Sequence, residues 1–325
     1  MGKSLSTVVG CGVIGLSSGI RLLEAGFEVT IIARDLPPNT TSNVAAAFWY
    51  PYEAYPLERA LAWGKQSLNE FYRLAALGDC GISLLKLREV YTHPVDVPWW
   101  KDLLPAAEAL PPADLPPGSV AGYLLEVPLM EMPVYMPYLL QRFHQLGGQI
   151  EQRAINTLSD ITYPDRIIIN CTGVWARQVA NDPSVFPLRG QVLKVNAPHI
   201  KTGFLGEGGD EDTLTYIVPR RDGCILGGTA QKDNWNLAAD PHIAKAIRAR
   251  CAAVEPSLQT AEVLSQAVGL RPGRHEVRLE VERMADSCII IHNYGHGGAG
   301  VTLSWGCADE VVTLALSVLP EMNQS

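Results

Sequence analysis

Three glycine-bearing turns carry the chemistry most readily read from this chain. Gly10-x-Gly12-x-x-Gly15 follows the strand-like Ser6-Thr7-Val8-Val9 and opens the run 16–25, the strand–turn–helix context that gives the pattern its meaning. Gly10 permits the tight turn, Gly12 lets backbone approach a pyrophosphate, and Gly15 allows close helix–strand packing, while the first N–H groups of the helix face the anion. An acid for a ribose hydroxyl is expected about 20 residues on. Asp35 fits, with Arg34 beside it. This turn points to a dinucleotide and does not choose between NAD and FAD. The later turns do. Asn170-Cys171-Thr172-Gly173 and the cluster Gly295, Gly297, Gly298, Gly300 would be idle around a nicotinamide cofactor, whereas three separated turns on one sheet suit an extended FAD. The helix after the last cluster can aim its N-terminal dipole at the flavin's pyrimidine carbonyl, where negative charge develops on reduction. His292 and His296 lack a carboxylate or cysteine partner at ligand spacing, so no metal site is expected.

The elements that must position these turns follow from local pattern. Residues 6–9 form a buried strand, 16–25 a helix closed by Gly26, and 27–33 a β-branched strand, which makes one βαβ unit. A helix rich in Leu61, Leu68 and Phe71 follows. Residues 80–136 are dense in proline and read as an inserted, loop-rich lobe with short strand-like pieces. A helix over 138–146 ends at Gly147-Gly148, and residues 166–170 are a buried strand entering the second turn. Further strands are expected within 190–229, at 277–281 and at 288–291, with helices over 242–254 and after residue 300. The expected fold class is α/β, a Rossmann-like FAD-binding domain interleaved with a mixed-β substrate domain. The discontinuous first domain takes residues 1–75, 138–185 and 265–325, and the second takes 76–137 and 186–264.

Composition bounds the function. The chain has 325 residues, 47% hydrophobic and 18% charged, enough for about two domains and a substantial core. With 26 basic against 34 acidic residues the net charge is −8, which argues against a nucleic-acid or polybasic membrane binder. Seven scattered cysteines without a CxxC pair disfavour a disulfide framework and suit a reducing compartment. The uncharged run 5–20 is broken by glycines and serines and is explained by the βαβ unit, so no membrane span or signal is expected and the location expected is cytoplasmic.

In these motifs the chain resembles the D-amino acid oxidase family. The resemblance is carried by residues 9–17, 33–37, 40–46 and 170–176, by Arg189-Gly190-Gln191 and Tyr216-Ile217-Val218-Pro219, and by Gly269-Leu270-Arg271-Pro272 and His292-Asn293-Tyr294-Gly295-His296-Gly297-Gly298. It spans nearly the whole chain in order. It implies an FAD enzyme that passes the α-hydrogen of a D-amino acid as hydride to flavin N5. O2 then reoxidises the flavin with release of hydrogen peroxide, and the imino acid hydrolyses to a 2-oxo acid and ammonia. Members are often dimeric, which makes a homodimer an expectation by analogy.

The resemblance also assigns roles. Arg271 would clamp the substrate carboxylate, since a guanidinium makes two parallel charge-assisted bonds. Tyr216 would supply a hydroxyl to the same carboxylate, although its strand alternation suits a core tyrosine equally, and the carbonyl of Gly298 would accept from the substrate amine. On the cofactor side, Gly12, Val13 and Ile14 would face the pyrophosphate, with Gly10 and Gly15 in the same cofactor-binding turn. Arg34 and Asp35 would flank the adenosine ribose, Thr41 and Ser42 the phosphates, and Ala46 and Ala47 the isoalloxazine. Ile155 and Trp175 would be adenine-side contacts, and Thr172 and Gly173 would also bind the cofactor. Gly297, Gly298, Gly300, Val301 and Thr302, with Arg271, would line the ring end.

Two departures bear on the substrate. Residues 206–212 are glycine-rich and acidic where some members carry a lid tyrosine. Residues 228–237 resemble members that take acidic substrates, yet Ala230 stands where those carry an arginine. A second substrate carboxylate would lack a counter-charge and meet repulsion, so neutral or basic D-amino acids are expected over D-aspartate. The alternatives are a D-aspartate oxidase, a glycine or sarcosine oxidase, a quinone-linked flavin dehydrogenase and, outside catalysis, a dinucleotide-binding regulator.

Overall fold

The computed structural model describes residues 4–51, 53–95, 97–98, 100–104, 106–161, 166–207, 213–284 and 288–322. The chain opens with the expected βαβ unit: β1 (Leu5–Val9), α1 (Val13–Glu24) and β2 (Glu28–Ala33). The short α2 (Thr41–Val44) and long α3 (Leu57–Leu77) follow, then β3 (Ile82–Tyr91), β4 (Glu108–Ala109) and β5 (Ala121–Met130). Helix α4 (Met132–Gln145) leads to β6 (Gln149–Gln152), β7 (Arg166–Asn170) and α5 (Ala176–Val179). Next come β8 (Phe186–Val195), β9 (Gly203–Glu207), β10 (Thr213–Arg220), β11 (Gly223–Thr229) and β12 (Gln231–Lys232). The chain finishes with α6 (Pro241–Val254), β13 (Val263–Gly273), β14 (Arg278–Arg283), β15 (Ile289–Tyr294) and α7 (Gly300–Met322).

Among the described residues the strands form two sheets. The first runs β14-β15-β7-β1-β2-β6, parallel except at the β14 edge. Its central strands are apolar because both faces are covered. Helices pack onto it closely where side chains are missing: a Cβ on Gly19 of α1 would lie 2.8 Å from the Phe143 ring of α4, and one on Gly306 of α7 would lie 2.3 Å from the Trp63 carbonyl of α3. Helix α7 is apolar and long enough to cross a membrane by length and composition, and here Leu303, Trp305, Cys307, Val311 and Ala315 are buried in the core.

The second sheet runs β12-β8-β11-β10-β9-β3-β5-β4, with β13 on the other side of β8. One face packs a separate cluster with α6, built on Leu193, Phe204, Ile217, Leu226, Ile247 and Cys251. The other face carries Val192 and Tyr216 into the main core shared with the first sheet.

The structure corrects the sequence reading at several points. Residues 80–136 are not mainly loop, because β3 and β5 pair antiparallel over their full length, from Ile82↔Met130 to Tyr91↔Ala121, and the prolines cluster in the connection between them. Helix α4 starts at Met132, six residues before the expected start, because Pro133 lies in the first turn, where its missing N–H breaks no intrahelical bond. The polar edge strand β6 carried no apolar signal. The join expected at residue 265 falls inside β13, whose residues 265–273 pair with β8 in the second sheet. All seven cysteines are buried and unbridged.

Candidate active site

A cavity of about 760 Å³ runs between the two sheets. At one end lie Arg34, Asp35, Ile155, Thr172, Gly173 and Trp175. The middle is lined by Gly10, Gly12, Val13, Ile14, Thr41 and Ser42. At the far end are Ala46, Ala47, Tyr216, Arg271, Gly297, Gly298, Gly300, Val301 and Thr302. The structure therefore brings together every residue singled out from the sequence except Gly15, which is not on the wall. Its position explains why: a Cβ there would fall 1.9 Å from the Gly10 carbonyl, so this glycine seats the turn against the helix and faces no ligand.

The turns are built by hydrogen bonds across long sequence separations. The Val13 N–H at the start of α1 donates to Ser42 Oγ at 3.0 Å, which joins α2 to the first turn. Asn170 Oδ1 accepts from the Thr172 backbone N–H at 3.2 Å and from its hydroxyl at 2.7 Å, and shapes the second turn. The Asn170 amide meets His292 Nδ1 at 3.1 Å, and Glu282 meets His292 Nε2 at 2.8 Å, so His292 is a support between strands; burial lowers its pKa. At the third turn Asp182 accepts from the Tyr294 hydroxyl at 2.9 Å and from Arg274 Nε at 3.0 Å. Burial alone would raise this carboxyl, but the bonds from Ser184, Tyr294 and Arg274 outweigh it and hold it down to about 2.

On the cavity wall the Arg34 guanidinium lies 4.1 Å over the Trp175 ring and donates to Asp35 at 2.8 Å through Nε. Trp235, from the loop after β12, meets Trp175 with ring centroids 5.8 Å apart, and Leu237 of the same loop lines the cavity. That loop is held by Arg189, only 2% exposed, whose donors go to the carbonyls of Asn236 and Ala238 at 2.6 Å, to Gln231 at 2.9 Å and to Gln191 at 3.1 Å. A fully desolvated guanidinium requires such acceptors, and here they secure a second-sheet loop against the first-sheet wall.

At the opposite end Arg271 on β13 donates through Nη1 to the Thr229 carbonyl at 2.7 Å. Its guanidinium lies over Gly190, near enough to Tyr216 for its charge to act on the phenol. Burial raises the Tyr216 pKa against the opposing charge of Arg271, so the phenol stays protonated. The Tyr216 ring lies on Gly227 and Gly228, where a Cβ would come within 1.9 Å and 2.7 Å of its atoms. Strand register adds residues that sequence reasoning missed. Gly227, Tyr216, Leu205 and Glu89 stand opposite one another across β11, β10, β9 and β3 and so share one face. Tyr50 also lines the wall, as do Phe48 and Leu214. The acidic segment read from the sequence lies outside the described residues at 208–212.

The donor set fits FAD. His296 and Asn293 line the cavity, and His296 Nε2 and Asn293 Oδ1 are buried without a hydrogen-bond partner among the described residues, polar atoms that a polar ligand would satisfy. Burial lowers His296 to about 3 and raises Cys11 and Cys171 to about 12, so the wall offers a neutral imidazole and neutral thiols.

Comparison with known proteins agrees. The family described as FAD dependent oxidoreductase (DAO) matches residues 7–314. The chain belongs to the FAD-dependent oxidoreductase family. Among similar sequences, a D-amino-acid oxidase of Rubrobacter xylanophilus is 47% identical over 97% of this chain and 96% of that protein, and a D-aspartate oxidase of Homo sapiens is 36% identical over 94% and 93%. Among solved structures, glycine oxidase from Geobacillus kaustophilus superposes with a TM-score of 0.79 at 17% identity, over 98% of both chains. The oxidoreductase thus shares its architecture with that glycine oxidase.

Proposed function

We propose that this protein is a D-amino-acid oxidase. The observation that carries the reading is the Arg271–Tyr216 pair at one end of the cavity. Among the described lining residues the cations are Arg34, Arg153 and Arg271; the first packs on Trp175 at the adenosine end and the second lies two residues from Ile155, which leaves Arg271 to meet the substrate. The 47% identical relative is named for this activity. Arg271 grips the carboxylate, Tyr216 adds a hydrogen bond to it, and the Gly298 carbonyl accepts from the amine, a three-point hold on the α-carbon. Bound FAD supplies the two-electron acceptor, with O2 as the final oxidant and hydrogen peroxide, 2-oxo acid and ammonia as products. Val192, Leu205 and Leu214 give the wall an apolar surface that excludes water.

Neutral or basic side chains are favoured over acidic ones. One carboxylate uses Arg271, and Arg189, the β8 arginine that holds the neighbouring loop, has its donors engaged by backbone and glutamine acceptors. A visible spectrum followed by anaerobic addition of L-alanine and then D-alanine tests the reading. Bleaching of the yellow flavin by the D-form alone is expected; bleaching by L-alanine, or by neither, overturns it.

A further inference from the structure

We propose that Tyr50, backed by the buried carboxyl of Glu89, forms the side-chain end of the substrate pocket and selects basic D-amino acids, whose ammonium or guanidinium it receives. This inference rests on the oxidase reading and goes beyond it.

Glu89 is only 2% exposed and sits in the same cross-strand row as Tyr216, two strands away, which places the two backbones about 10 Å apart on the cavity face. Its Oε2 accepts from Trp100 Nε1 at 2.6 Å and its Oε1 from the Tyr50 hydroxyl at 2.5 Å. The indole can only donate, and a phenol has one proton to give. Tyr50 donates its one O–H to Glu89 in that bond, so toward a substrate donor its oxygen accepts. Tyr50 lines the cavity, and its backbone is pinned by Thr302 in the first turn of α7, with both bonds to the threonine hydroxyl at 3.1 Å.

The substrate end of the cavity thus has two polar poles. Arg271 takes an anion, and the Tyr50 oxygen, its proton directed to Glu89, takes a cation or a strong donor. A substrate bearing a second carboxylate would bring acceptor oxygens against another acceptor, with no proton left to bridge them. Tyr50 is the contact; Glu89 is a positioning residue that fixes the hydroxyl's donor direction.

The test uses full-length holoprotein and the substrates D-lysine, D-alanine and D-aspartate. For the unaltered enzyme kcat/KM for D-lysine is expected at least tenfold above that for D-aspartate; the reverse order overturns the inference. Tyr50→Phe is expected to lower the D-lysine to D-alanine ratio of kcat/KM about tenfold, with the loss in KM for D-lysine and not in kcat. Glu89→Gln is expected to move the ratio in the same direction and by less. Should the buried substitution fail to yield holoprotein, Tyr50→Phe decides alone. A Tyr50→Phe ratio within twofold of the parent overturns the inference. If D-alanine still bleaches the flavin in that experiment, the oxidase reading stands without it; if no D-amino acid bleaches the flavin of the parent, both fall.

Discussion

Arg271 crosses from β13 to lie directly over Gly190 of β8, so closely that a methyl group at position 190 would fall 2.4 Å from Nη1 and 2.6 Å from the guanidinium carbon. The glycine in the Arg189-Gly190-Gln191 motif thus provides the seat of the Arg271 guanidinium, which we propose as the carboxylate clamp. Arg189 beside it holds the loop that packs on Trp175, so adjacent residues of one strand support two parts of the cavity wall.

Gly190→Ala is expected to push the guanidinium off its seat and lower kcat/KM for D-alanine on the order of 100-fold, the scale of an ångström-sized misplacement. The flavin spectrum should be retained, because residue 190 lies beneath the substrate clamp. Steady-state kinetics beside an absorbance spectrum reads both quantities.

Removing the aromatic wall should act on the cofactor instead. Trp175 carries Arg34 on its ring and Trp235 beside it, at 37% and 42% exposure for the two tryptophans. Cation–π and aromatic contacts of this kind contribute about 1 kcal/mol each. Trp175→Ala is expected to raise the FAD dissociation constant roughly tenfold, measured by titrating apoprotein and following flavin fluorescence.

Gly15→Ala should act on folding. The added methyl would meet the Gly10 carbonyl at 1.9 Å, and neither turn can retreat without opening the β1–α1 junction. A loss of about 3 kcal/mol or more is expected, seen as a lower denaturation midpoint in urea with or without added FAD.

The Asp182 anchor gives a pH dependence. Its carboxyl is held down to about 2 in the folded protein, below its unfolded value of about 3.9, so the unfolded chain binds the proton more readily. The resulting stabilisation is present above about pH 4 and is lost as pH falls toward about 2. Asp182→Asn is expected to cost on the order of 2 kcal/mol at pH 7, with the gap to the parent closing in that acid window. Urea denaturation of both proteins at a series of pH values measures it.

Much of the cofactor side was legible in the residues. Phosphate recognition by backbone needs glycine at set spacings beside a strand and a helix, a local requirement that leaves a local mark, and the three turns, Asp35 and the βαβ unit were read from it. Residue resemblance also brought Arg271 and Tyr216 into view. Sequence alone did not disclose that β13 joins the second sheet or that the proline-rich region contains two ten-residue paired strands. Nor did it disclose Glu89 behind Tyr50, Gly190 beneath Arg271, or Trp235 against Trp175. These relations are registers between strands and contacts between segments tens to hundreds of positions apart. A buried acid in a strand reads like any solvent-facing acid until the neighbouring strands are in place, because burial belongs to the assembled sheets and not to the residue.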